Sequence, residues 1–209
     1  MCRVALEHED PTAFSVLFRE HGTASVSMAP GITGASFRAQ PTPVGRAEAF
    51  FVPADEVPVT VSLGDRTEVV VRADTGLEGQ PPPLDPMPAL GAPPDTEVRL
   101  EELAWVRSGD KGDTANVGVI ARRPELLPSL AAALDEPTVA RWYAHWFGPD
   151  GGQVRRFLLP GPNALNLLLD GALGGGCNVS LSFDPFGKSL AQELLDLPVA
   201  VPRSLLGAG

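Results

Sequence analysis

Cysteine is scarce. Cys2 and Cys177 are the only two in 209 residues, too few for a disulfide framework or a four-thiolate metal site, so a reducing cytoplasm is the expected setting. The three histidines, His8, His21 and His145, stand far apart with no metal-ligand spacing, and no structural zinc is expected. Positive charge is in deficit, with a formal net charge of -10, which excludes a general electrostatic grip on nucleic acid or on anionic membranes. No apolar run approaches a membrane-spanning length, and the first ten residues carry charges where a secretory leader needs an apolar stretch. The phosphate-loop pattern Gly-x4-Gly-Lys-[Ser/Thr] is missing, and no Ser/His/Asp arrangement accompanies Ser108.

What the chain has is 44% hydrophobic residues, enough to bury a core, and proline and glycine at 22 each. Both recur through residues 75–95 too often for a helix or an internal strand, which marks a linker, partly extended in polyproline fashion. The chain is therefore divided into a small strand-rich segment over residues 1–78, a linker over 79–96 and a domain over 97–203. In the first segment, residues 12–20 read as a short helix and residues 49–52, 57–63 and 69–72 as strands, with Gly64 and Asp65 forming a hairpin turn. Such a segment has a small core and is expected to pack on something else.

The domain over 97–203 has a sharper rhythm. Residues 98–106 alternate as a strand, a polar loop follows over 108–116, and residues 117–121 form a short apolar strand suited to a sheet centre. Residues 126–147 are helical, with Pro128 and Pro137 near first turns, and 154–159 is the next strand. Residues 164–173 are apolar enough for a buried helix, stopped by Gly174, Gly175 and Gly176. Residues 178–183 alternate as a strand, and 188–195 closes the domain as a helix. The order β-β-α-β-α-β-α describes an α+β domain, a ferredoxin-like open-faced sandwich.

The polar stretch concentrates chemistry. Asp110 and Asp113 can act as base, acid or cation ligand, Lys111 supplies charge, and Gly109 and Gly112 can expose backbone N–H groups as an anion-binding nest. Ser108 and Asn116 flank them, and the same residue types are also ordinary turn formers. A second cluster joins Asp184, placed to cap a helix, to Lys188 one turn on. Asn163 reads as a helix N-cap, whereas Asn166 within an apolar segment needs polar partners. His145, among aromatics, reads as packing, and Cys177 as a small buried residue.

At these residues the chain resembles the acyclic terpene utilisation (AtuA-like) family, in its C-terminal ferredoxin-like domain. The likeness is carried by the stretch from Arg107 through Asn116 to Arg122, by Ala164, Leu165 and Asn166, by Gly174 and Gly175, and by Asp184 with Gly187 and Lys188. Upstream, residues 29–33 and 49–57 resemble the end of the family's large N-terminal domain. The resemblance implies an enzyme or enzyme subunit of acyclic terpenoid or related acyl-CoA and carboxylate metabolism, with lyase- or hydratase-like proton transfer. It assigns catalysis to Asp110, Lys111 and Asp113, and substrate binding to Ser108, Gly109, Gly112, Asn116, Asn166, Asp184 and Lys188. No cofactor is expected beyond a CoA thioester as substrate, and the partners implied are a separate large subunit or further copies of the chain. A divalent cation on Asp110, Asp113 and Asp184 is disfavoured, because Lys111 and Lys188 compete for the same carboxylates. The alternative is a non-catalytic partner domain docking on a separate large subunit. It draws on the departures from the family pattern at Gly161, Ser182 and Phe186, where three polar groups are lost.

Overall fold

The computed structural model describes residues 4–28, 30, 31, 41–45, 48, 50–70 and 85–207. Two compact units are present, Met1–Gly45 with Asp85–Gly209, and Arg46–Leu84. In the smaller unit, β1 (Thr60–Leu63) and β2 (Arg66–Val69) form an antiparallel hairpin. Its turn is at Gly64, φ 60°, a backbone region that glycine enters without steric cost. A hairpin turning at Gly64 is thus as expected, but its strands cover 60–63 and 66–69 where 57–63 and 69–72 are expected, and described residues 50–52 form no strand. Ala49 and residues 71–84, which include the first six residues of the expected linker, lie outside the described residues.

In the larger unit the helix expected over 12–20 is α1 (Phe14–Ser27). It follows a 3-10 turn whose start is capped by Asp10, accepting from the Thr12 amide at 2.8 Å.

The domain's centre is an antiparallel sheet in the order β4-β5-β7-β6, from β4 (Ala104–Lys111), β5 (Thr114–Ala121), β6 (Gln153–Leu159) and β7 (Ala164–Asp170). Side chains alternate across it. One face presents Val117, Val119, Leu165, Leu167 and Leu169, all fully buried. Beneath them pack α3 (Leu127–Ala133), α4 (Glu136–Trp142) and α5 (Leu190–Leu194), leaving the other face open. The open-faced α+β sandwich is therefore the fold.

Local chemistry sets the helix limits. Pro128 and Pro137 sit in first turns, as expected. Asp135 caps α4 by accepting from the Thr138 amide at 2.8 Å, and bonding from the Thr138 hydroxyl and then this amide holds its carboxyl below the ordinary carboxylate range. The guanidinium of Arg156 reaches from β6 to the carbonyls of Ala131 and Leu134, closing the C-terminal end of α3. Tyr143, wholly buried, donates its hydroxyl to the Leu190 carbonyl at 2.7 Å and ties α4 to α5. Burial pushes its hydroxyl pKa up.

Several elements differ from the sequence reading. Residues 98–106 are not one strand: β3 (Thr96–Arg99) ends in one helical turn, α2 (Leu100–Leu103), before β4 begins. The turn puts Leu100 and Leu103, both fully buried, on one side three residues apart, and Glu102 accepts from the Arg99 amide at its start. Residues 164–173 are not a helix. Their leucine-rich composition suits one, but β7 is paired on both sides, to β5 and to β6, and tertiary pairing overrides propensity. Asn163 is accordingly no helix cap. It takes the left-handed conformation, φ 52°, in the connection between β6 and β7.

Residues 178–183 form turns instead of a strand, and the last helix is short, Leu190–Leu194 rather than 188–195. The closing strand is β8 (Pro198–Val201), which pairs antiparallel with β3. The observed order from β4 is thus two hairpins separated by helices, followed by α5 and β8.

Candidate functional site

The stretch expected as a polar loop over 108–116 is the tip of the hairpin between β4 and β5, paired residue for residue from Ala104 with Ala121 to Lys111 with Thr114. Only Gly112 and Asp113 form the turn. Gly112 has φ 69°, with no positive φ at Asp113, the pattern of a glycine-led two-residue hairpin turn. Strand alternation then sorts the polar residues. Arg107, Gly109 and Lys111 belong to the open face of the sheet, and Ser108 and Asp110 to the covered side.

Arg107, Gly109, Lys111, Asn116 and Gly118 of the open face, together with Ser108 and Lys188, line a depression of about 320 Å³. Its floor is bare at two points, because Gly109 and Gly118 carry no side chain. Lys111 donates to Asn116 Oδ1 at 3.4 Å and to its neighbour's carbonyl, Asp110 O, at 3.0 Å. Lys188 arrives from the loop before α5. Its Nζ lies 3.2 Å from where a Cβ on Gly109 would stand and 3.7 Å from Asp110 Oδ1. Gly109 thus contributes an absent side chain, and its extended backbone, laddered to Asn116, makes no N–H nest.

Ser108, Asp113 and Asp184 act on the frame around the depression. The Ser108 hydroxyl, on the covered side, accepts from the Ala191 amide at 3.0 Å and fixes the first turn of α5 against β4. Asp113 accepts from the Gly175 amide at 2.7 Å, pinning the glycine turn to the hairpin tip. That turn must be glycine where it passes closest: a Cβ on Gly176, φ 91°, would stand 3.1 Å from the carbonyl carbon and oxygen of Gly112. Asp184 Oδ2 accepts from the Ser189 amide at 2.6 Å and from its hydroxyl at 2.8 Å. Burial raises the Asp184 pKa, but the bonds from Ser189 and the amides of Lys188 and Phe186 outweigh it, so the carboxyl stays below its ordinary value. The loop carrying Lys188 is thereby fixed at both ends.

Asn166 is on β7 directly across from Gly118, on the open face. Further along, Arg155 holds Asp170 through two bonds, at 2.8 and 3.0 Å, and Thr114 donates to the same carboxylate at 2.8 Å. These bonds hold the Asp170 carboxyl below the ordinary range. At the opposite end of this face Trp105, Ile120 and Leu159 are exposed in one row, and the Arg122 guanidinium lies 4.9 Å over the Trp105 ring.

Arg107 and Gly118 were missed as site residues. The signal lay in the strand period: Arg107, Gly109 and Lys111 stand two apart, and reading the stretch as a loop concealed it. Other candidates lie elsewhere. His145, 3.2 Å from Glu193, sits at the end of α4. A second depression, of about 240 Å³, is mainly apolar, lined by Leu90, Pro128, Pro202 and Leu205 among others, with Glu125 its single ionisable group. Among the described residues no group of three or more His, Cys, Asp or Glu is placed to hold a metal ion, and no helix is long and apolar enough to cross a membrane.

No curated protein and no solved structure matches the chain. A family model does, that of the AtuA ferredoxin-like domain, and its match begins in β3 and ends in β8, so it contains the whole sheet and the depression. The chain carries an AtuA ferredoxin-like domain over residues 98–200.

Proposed function

We propose that this domain binds a small carboxylate or an acyl thioester in the cationic depression of its open face. It does so as an enzyme or enzyme subunit of acyclic terpenoid or related acyl-CoA breakdown. The carrying observation is the convergence of Arg107, Lys111 and Lys188 over a floor cleared by Gly109 and Gly118. Cations at a site of that size stabilise a carboxylate, or the oxyanion that develops when a proton leaves the carbon beside a thioester carbonyl. Asp110 lies on the covered side of β4, 3.7 Å from Lys188 Nζ, and in this reading it reaches past the lysine to take or return that proton, in lyase- or hydratase-like chemistry. Asn116 orients Lys111 through its side-chain oxygen. Turnover of a panel of branched acyl thioesters and their acids tests the reading. Asp110→Asn is expected to lower kcat by about a hundredfold or more with binding retained; undiminished turnover in that variant would exclude Asp110 as the proton carrier.

One observation favours the second reading, a non-catalytic partner domain. Trp105, Ile120 and Leu159 share one row of the open face and are 53%, 43% and 42% exposed, as suits a surface covered by a separate large subunit. Co-purification with such a subunit, lost in Trp105→Ser, is the outcome expected of it, whereas turnover by the chain alone would count against it.

A further inference from the structure

Lys111 and Lys188 are the only lysines in the chain, and both line the same depression, one from β4 and one from the loop before α5. Arg107 is the third cation there. Like charges gathered on a small surface repel one another, so their grouping in a chain of net charge -10 calls for a compensating anion.

The nearby carboxylates supply little of it. Asp110 faces Lys188 at 3.7 Å. Asp170, on the same face, is engaged by Arg155 and Thr114. Asp113 and Asp184 are bonded to Gly175 and Ser189. Three cations therefore meet one partly engaged carboxylate, an excess that a single carboxylate ligand does not neutralise. The missing side chain at Gly118 leaves room for a compact group close to the sheet, beside the Lys188 ammonium that stands over Gly109. A tetrahedral dianion presents several oxygens to donors approaching from different sides, as Arg107 and Lys111 on one strand and Lys188 over its edge are arranged to do.

We infer that the depression receives a phosphoryl dianion, so that the ligand is a phosphorylated small molecule. The inference rests on the reading above only in taking the depression as the ligand site. The bare floor then admits the phosphoryl group, and the three cations hold its oxygens by charge-assisted bonds. Water-soluble phosphate esters, the phosphates of an acyl carrier and a phospholipid headgroup share this chemistry.

Binding is measured on the full chain by calorimetry at constant ionic strength. The probes are inorganic phosphate, pyrophosphate, acetate, coenzyme A with and without its 3′-phosphate, and vesicles containing phosphatidic acid. Amine acetylation with peptide mass spectrometry reports on Lys111 and Lys188 separately from every other side chain. Phosphate or pyrophosphate is expected to bind at least about tenfold more tightly than acetate, to slow acetylation of both lysines, and to lose about tenfold in affinity in Lys111→Met and in Lys188→Met. A loss on removing the 3′-phosphate of coenzyme A supports the inference with an acyl carrier as the source.

Equal binding of acetate and phosphate overturns the phosphoryl assignment and leaves the carboxylate reading standing. Binding to vesicles with none to soluble phosphates also overturns it. If no anion binds or protects either lysine while the circular dichroism is that of a folded chain, both readings fail. Arg107→Gln is the third variant, and unchanged phosphate affinity in all three likewise overturns the inference.

Discussion

The two faces of the β4-β5-β7-β6 sheet are made by the same strands and differ in nearly everything else. The covered face carries Val117, Val119, Leu165, Leu167 and Leu169 with no exposed surface. The open face carries glycine, asparagine, unburied cations and a row of half-exposed apolar groups. Alternation makes this division, because each strand sends successive side chains to opposite sides. Burial on one side supplies the stability that frees the other from packing duties. The separation between faces is thus also a separation between what holds the domain together and what it presents to a ligand.

The largest break in the comparison comes from the covered face. Leu167→Ala is expected to cost about 2–5 kcal/mol in denaturant unfolding, and Ile120→Ala, on the open face, less than about 1 kcal/mol. Similar losses in the two variants would mean that the open face is covered in solution. Next comes the glycine turn beneath the hairpin tip. Gly176→Ala forces a Cβ against Gly112 at a positive φ and is expected to cost about 1–3 kcal/mol.

Asp113→Ala removes the bond to the Gly175 amide and is expected to cost about 1 kcal/mol. A variant of unchanged stability that has lost anion binding would move Asp113 from the frame to the ligand. The acid limb sharpens the same point. Asp135, Asp170 and Asp184 have folded pKa values below their ordinary ones. Their stabilisation is therefore fully present above about pH 4 and is lost as pH falls through the lower folded values. Unfolding measured from pH 6 downward should show this decline, and Asp184→Asn should flatten it. The smallest stability effect belongs to the cations: Lys111→Met and Lys188→Met should stay within about 0.5 kcal/mol of the parent while anion affinity falls.

Much of this was legible before any coordinates. The short apolar run over residues 117–121 identifies a strand, although the strand begins earlier, at Thr114, and the first-turn prolines identify α3 and α4. The resemblance points to residues 108–116 as the site, although reading them as a loop hid Arg107 and Gly118. The errors share a cause. Ala164 to Asp170 alternates as a strand, yet its leucines are equally at home in a helix, and only two hydrogen-bonded neighbours decide between them. Residues 178–183 alternate as well, yet they form turns and bends.

The sequence alone determined which segments alternate, where chains must turn, and that acid, cation and glycine are concentrated around residue 110. Those properties follow from a residue and its near neighbours, within the reach of local sterics and periodicity. The tertiary structure alone decided that Ser108, Asp113 and Asp184 hold the frame, and that Lys188 stands over Gly109 beside Asp110, in the depression that Lys111 also lines. Such meetings depend on how hairpins and helices pack across long separations in sequence, and no local pattern specifies the point at which two distant side chains converge.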